Sequence, residues 1–142
     1  MLVVKKVKLG DANVTAVAYG CMGLSQAYEP CDEHQGIRTL NAVLDMGYDH
    51  LDTAALYGFG RNEELLNKAI GHRRSEYFLA SKCGLYRDAS GKREINGRPE
   101  VLTKTCEDSL RRLGTDCIDL YYLHRIDLNV PVEDSVGALM DM

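Results

Sequence analysis

The sequence has no long apolar run. Its start, Met1-Leu2-Val3-Val4-Lys5-Lys6-Val7, turns to lysine too soon for a signal-peptide core, and no stretch approaches the roughly 20 apolar residues of a spanning helix. A soluble, cytoplasmic chain with no membrane partner is expected. Nor is there a block of like charge: 17 basic against 21 acidic side chains give a formal net charge of −4, which argues against a nucleic-acid partner. There is no Cys-x-x-Cys pair. Cys21, Cys31, Cys83, Cys106 and Cys117 are scattered and odd in number, which fits reduced thiols. His34, His50, His72 and His124 lack metal-ligand spacing, so no metal site is expected. Asn13-Val14-Thr15 matches a glycosylation acceptor, but without a secretion signal it reads as a turn exit. No internal repeat, low-complexity segment or interdomain linker interrupts the chain, so residues 1–142 read as a single domain.

What is present centres on residues 47–71. A short strand at 48–51 ends in the carboxylate Asp52, and a loop then carries Tyr57. Asn62 reads as the opening of a helix with Leu65, Leu66, Ala69 and Ile70 on its apolar face. Two later segments repeat the pattern. Residues 77–81 read as a buried strand ending in Lys82, and residues 118–123 as another ending in His124. In parallel α/β folds the loops leaving the carboxyl ends of the strands converge. Asp52, Tyr57, Lys82 and His124 would then form one cluster.

The remaining chain fits the same alternation. Residues 3–9 and 14–17, around the turn Gly10-Asp11-Ala12-Asn13, read as a β-hairpin. A strand at 16–20 breaks into Gly20-Cys21-Met22-Gly23, either an ordinary turn or a place where a flat ligand comes close. Asp32 caps a helix with the stripe Ile37, Leu40, Val43 and Leu44, closed by Gly47. Residues 83–97 show little apolar periodicity and read as a long loop, either a flap over the site or a surface insertion. Pro99 opens a helix with Leu102, Cys106, Leu110 and Leu113 on one face, stopped by Gly114. Pro131 opens a last helix with the stripe Val132, Val136, Leu139 and Met140.

Leu51-Asp52-Thr53-Ala54-Ala55-Leu56-Tyr57-Gly58, then Asn62-Glu63-Glu64, Ser81-Lys82, Leu110-Arg111-Arg112-Leu113-Gly114 with Asp116 and Ile118-Asp119-Leu120, and His124-Arg125 closely resemble the aldo/keto reductase superfamily. Gly20-Cys21-Met22-Gly23-Leu24-Ser25 and Asn96-Gly97-Arg98-Pro99-Glu100 are most similar to its pyridoxal- and perakine-reductase-type subgroup. The resemblance implies an α/β fold, the amino-terminal half of a (β/α)8 TIM barrel, with an N-terminal β-hairpin and four parallel strands alternating with helices. It implies hydride transfer from NADPH to an aldehyde or ketone, with a small-molecule carbonyl substrate. Tyr57 would be the general acid, Lys82 the neighbouring cation, Asp52 its anchor and His124 the donor that orients the substrate oxygen. Gly20, Cys21, Met22 and Asp52 would lie beside the nicotinamide.

A full barrel needs about 250 residues, so the chain of 142 is expected to be a truncated reductase domain or a half-barrel. Open strand edges invite self-association or a complementary half. In this family the adenosine phosphate grip comes from the other half, which leaves the activity of this chain alone in question. Two rival readings stand beside the reductase. One is a non-catalytic regulatory protein on the same scaffold, similar to potassium-channel β-subunits; the other is a metal-dependent hydrolase in a barrel. Taken singly, each of the four residues also has an ordinary structural reading, as turn, packing, surface charge or core.

Overall fold

Short β-prone segments separated by amphipathic stretches produce a strand–helix alternation, and the computed structural model describes residues 4–25 and 32–142. Two strands, β1 (Lys6–Leu9) and β2 (Ala12–Thr15), form the antiparallel hairpin expected from the Gly10 turn. The main sheet holds β3 (Tyr19–Gly20), β4 (His50–Asp52), β5 (Phe78–Cys83) and β8 (Leu120–Leu123), in that spatial order and all parallel. Helices α1 (Glu33–Asp45), α2 (Arg61–Ile70) and α3 (Pro99–Leu113) connect them, and α4 (Val132–Met140) follows β8. The fold is that of four β/α units of a barrel, as the sequence pattern implies.

The core lies between the outer sheet face and the helices. Leu51 and Leu79 project from β4 and β5 and meet Leu40, Val43 and Leu44 of α1, Leu65, Leu66, Ala69 and Ile70 of α2, and Leu113 of α3. Alternation along each strand sends Asp52 and Lys82 to the opposite, inner face. Asp32 caps α1 through its Oδ1, which accepts from the His34 and Gln35 amides at 2.7 and 3.1 Å. Those bonds hold its carboxyl below the usual range. Gly114 closes α3 in the left-handed region.

Four expectations are corrected. The strand expected at 16–20 is reduced to Tyr19–Gly20, because Ala16 still belongs to the hairpin, its amide donating to the Lys5 carbonyl at 2.8 Å. Residues 83–97 are no plain loop: β5 ends at Cys83, then β6 (Leu85–Arg87) and β7 (Arg93–Ile95) form a second antiparallel hairpin. On α3 the buried face is Leu102, Thr105, Ser109 and Leu113, while Cys106 and Leu110 turn toward α4 and line a groove with Ala138 and Met142. The α4 stripe is largely exposed, and its one buried residue is Ser135.

Candidate functional site

The strand register determines which side chains can meet. Gly20, Asp52 and Ala80 pair across β3, β4 and β5, and Lys82 pairs with Tyr122 of β8 one step farther toward the carboxyl rim. The loop after β4 follows β5, with the Thr53 amide donating to the Ala80 carbonyl at 2.9 Å and the Ala55 amide to that of Lys82 at 3.2 Å. It brings Tyr57 back over the strand ends. The His124 amide donates to the Cys83 carbonyl at 2.8 Å, which anchors the imidazole at the same rim.

All four expected side chains converge there. Lys82 Nζ donates to Asp52 Oδ1, to the Thr53 carbonyl at 2.8 Å and to the Tyr57 hydroxyl at 3.2 Å. The ammonium also lies 4.9 Å from the Tyr57 ring centroid. The Tyr57 and His124 rings meet edge to face, their centroids 6.0 Å apart. Tyr57 is buried among Ala54, Leu56 and Leu85, with Met22 packed against the group. Burial, then the charges of Lys82 and Arg125, push the His124 imidazole below its ordinary value, which favours its neutral form. Its Nδ1 is buried and has no hydrogen-bond partner among the described residues.

The residues expected beside a nicotinamide divide. Gly20 ends β3 next to Asp52, and a Cβ built on it would meet nothing within 4 Å among the described residues. Met22 faces the same pocket wall as Tyr57. Cys21 does not face the site. Its thiol is fully buried in the main core, pushed up to about 12 chiefly by that burial, and its carbonyl already accepts from Asn62 Nδ2 at 2.8 Å. A nicotinamide-sized ring is thus compatible with Gly20, Met22 and Asp52, and with Cys21 through backbone alone.

The supporting network was largely hidden in the sequence. Asn62, expected to open α2, is instead completely buried: it bonds the Cys21 carbonyl, the Ser25 hydroxyl at 2.7 Å and the Thr53 hydroxyl at 2.7 Å. Arg61 is the first residue of α2, and Gly60 occupies the cap position. Glu63, also completely buried, accepts from the Ser81 hydroxyl at 2.7 Å and from Arg112 Nε at 2.8 Å. One carboxylate thus ties α2 and α3 to β5 beside Lys82. The left-handed run of Gly58, Phe59 and Gly60 swings the chain from Tyr57 into α2. A Cβ on Gly60 would lie 2.7 Å from Arg112 Cδ, so glycine is required by space as well as by conformation. Glu63-Glu64 and Leu110-Arg111-Arg112 were visible as motifs, but their pairing was not.

An open parallel sheet with a lysine, carboxylate, phenol and imidazole gathered at its carboxyl rim has the architecture of a β/α-barrel protein. The chain belongs to the aldo/keto reductase family, which it matches over residues 16–142. It is 40% identical over 135 residues to Aldo-keto reductase yakc [NADP(+)] of Schizosaccharomyces pombe, covering 93% of this chain and 40% of that protein. It is 39% identical over 140 residues to Probable aldo-keto reductase 1 of Glycine max, covering 96% and 40%. Among solved structures, the holo form of an aldo-keto reductase from Bacillus halodurans superposes with a TM-score of 0.86 at 37% identity, covering 97% of this chain and 46% of that one. The chain therefore spans about 40% of the length of the curated relatives it matches.

Proposed function

We propose that this domain carries the proton-transfer half of an NADPH-dependent carbonyl reduction, with aldehydes or ketones as substrates. The observation that carries the reading is Lys82 Nζ at 3.2 Å from the Tyr57 hydroxyl while Asp52 and the Thr53 carbonyl hold its other bonds. When bound, NADPH supplies a hydride to the carbonyl carbon. Tyr57 gives its proton to the carbonyl oxygen, and the phenolate left behind is stabilised by the adjacent ammonium until solvent returns the proton. His124, whose neutral form is favoured by burial, donates to the same oxygen and fixes its direction as charge grows there. Gly20, Met22 and Asp52 line the place for the nicotinamide, and Cys21 adds only backbone. The NADP(+) in the printed name of the fission yeast relative supports the choice of cofactor. Unpaired thiols at Cys21, Cys83, Cys106 and Cys117 suit a cytoplasmic setting.

The test is oxidation of NADPH with a panel of aldehydes, followed by loss of nicotinamide absorbance. Tyr57→Phe keeps the ring packing and removes the acid, so turnover should fall by roughly 100-fold or more while the melting temperature stays close to that of the parent. Equal turnover in the two proteins would sink the proposal. Unchanged behaviour of Tyr57→Phe would instead support a non-catalytic regulatory domain on this scaffold.

A further inference from the structure

The β6–β7 hairpin has two faces. On one, Tyr86 is the cross-strand partner of Glu94, and its hydroxyl approaches Thr105 of α3 at 3.4 Å. On the other, Leu85 packs with Ala54, Leu56 and Tyr57, so strand alternation aims Arg87 and Arg93 toward the rim of the site. These two arginines are direct cross-strand partners. Like charges placed opposite each other destabilise a strand pair. The hairpin supplies them no carboxylate: Arg87 Nη1 donates to the Gly91 carbonyl at 2.8 Å, which leaves its charge uncompensated, and Asp88 turns its carboxylate into the loop, accepting from the Ser90 amide, the Ser90 hydroxyl and the Lys92 amide at 2.9, 2.6 and 3.0 Å. Glu94 belongs to the other face. Arg73, Arg74, Arg111 and Arg112 pair with carboxylates, and Arg38, Arg61 and Arg98 have no ion pair among the described residues, so what sets the rim arginines apart is that two of them oppose each other across one hairpin. No ion pair to Arg87, Arg93 or Arg125 exists among the described residues.

Phe59 completes the feature. It is the one non-glycine with positive φ among the described residues, at 59°, and it stands 63% exposed two positions after Tyr57. A bulky side chain in that region is strained, and strain at an exposed residue beside a site points to a role there. The Arg87 guanidinium lies 5.8 Å from its ring centroid. Arg93 and Arg125 also contribute to the field that lowers the His124 imidazole.

We infer that Arg87 and Arg93 form an anion-binding rim, so that this site takes carbonyl substrates carrying a carboxylate or phosphate, with Phe59 flanking the body of the molecule. The inference rests on the carbonyl reading of the site for the substrate's other end. The anionic group belongs to the substrate rather than to the cofactor because the hairpin shares its packed face with Tyr57, where the carbonyl oxygen must come.

The test is calorimetric titration of the 142-residue chain at low salt with 4-carboxybenzaldehyde and with 4-methylbenzaldehyde, which differ only in the charged group. The carboxylate should bind roughly tenfold tighter, and rising salt should erode the difference. Arg87→Gln and Arg93→Glu should each bring the ratio near one, whereas Arg38→Gln, on the exposed side of α1, should leave it intact. Because Arg93→Glu converts an opposed like-charge pair into an ion pair, its melting temperature should not fall. That separates loss of the rim from loss of the fold. Equal or absent binding of the two aldehydes by the parent chain overturns the inference, as does a preference that survives both rim variants. So does a result in which the rim variants weaken NADPH binding and leave the aldehyde ratio alone, since the arginines would then hold a cofactor phosphate. A chain that prefers the anionic aldehyde yet never oxidises NADPH keeps the rim and loses the reductase reading.

Discussion

Glu63 shows what one side chain does for the site without touching a substrate. Its carboxylate is completely buried, which costs a great deal of solvation unless every oxygen is occupied. Ser81 and Arg112 occupy them, and Ser81 is the residue before Lys82. Glu63→Ala would leave the Arg112 guanidinium without its partner inside the packing of α2 and α3. Removing one member of a buried pair costs about 3–5 kcal/mol, and because Arg112 keeps partial access to water the expected loss is toward the lower end, roughly 3 kcal/mol. Urea unfolding measures it, and a change under about 1 kcal/mol would show that the network is dispensable. Residue types alone could not reveal this. Asp52, Tyr57, Lys82 and His124 stood out because each lies at the end of a strand or on its exit loop, in order along three strands. Asn62 and Glu63 sit where a helix cap and a first-turn acid are ordinary, and Arg112 lies 49 residues from its carboxylate.

At the scale of elements, legibility followed the length of the pattern. The stripes of α1 and α2 supply many apolar residues at helical spacing, and both helices pack as that spacing requires. The β6–β7 hairpin offers only two three-residue strands with charged side chains facing out, which is too little alternation to separate from a loop. Nor did α4 follow its stripe. Its docking comes from a polar clamp on Gly97, whose amide donates to Asp127 Oδ2 at 3.0 Å and whose carbonyl accepts from the Ser135 hydroxyl at 2.7 Å. A Cβ on Gly97 would lie 2.8 Å from that hydroxyl and 3.0 Å from Asp127 Cβ, so the clamp closes only over glycine. Gly97→Ala should cost roughly 1–3 kcal/mol by overpacking. Hydrogen exchange across residues 132–140 should rise first, before exchange in β4 and β5 changes. Uniform protection after the substitution would mean that α4 is held by something other than this clamp.

The whole molecule has a covered side and a bare side. Helices α1 to α3 seal the outer face of the sheet, while β3 and β8 end it with strands paired on one edge only. Past β8 come Ile126, Leu128 at 95% exposure, Val132, Val136 and Met140 at 82%, and nothing among the described residues covers them. A row of unpaired backbone groups next to exposed aliphatic side chains is a template for another chain. We therefore propose that this protein self-associates through the β8 and α4 side, and that the association weakens when that surface is made polar. Sedimentation velocity over a concentration series should show a mass that grows with concentration in the parent chain. In Leu128→Lys with Val136→Lys the mass should stay near that of one copy, because both side chains are exposed and their replacement leaves the core intact. A parent chain that sediments as a single copy at every concentration and melts cooperatively would overturn this, since the bare side would then be stable against water on its own.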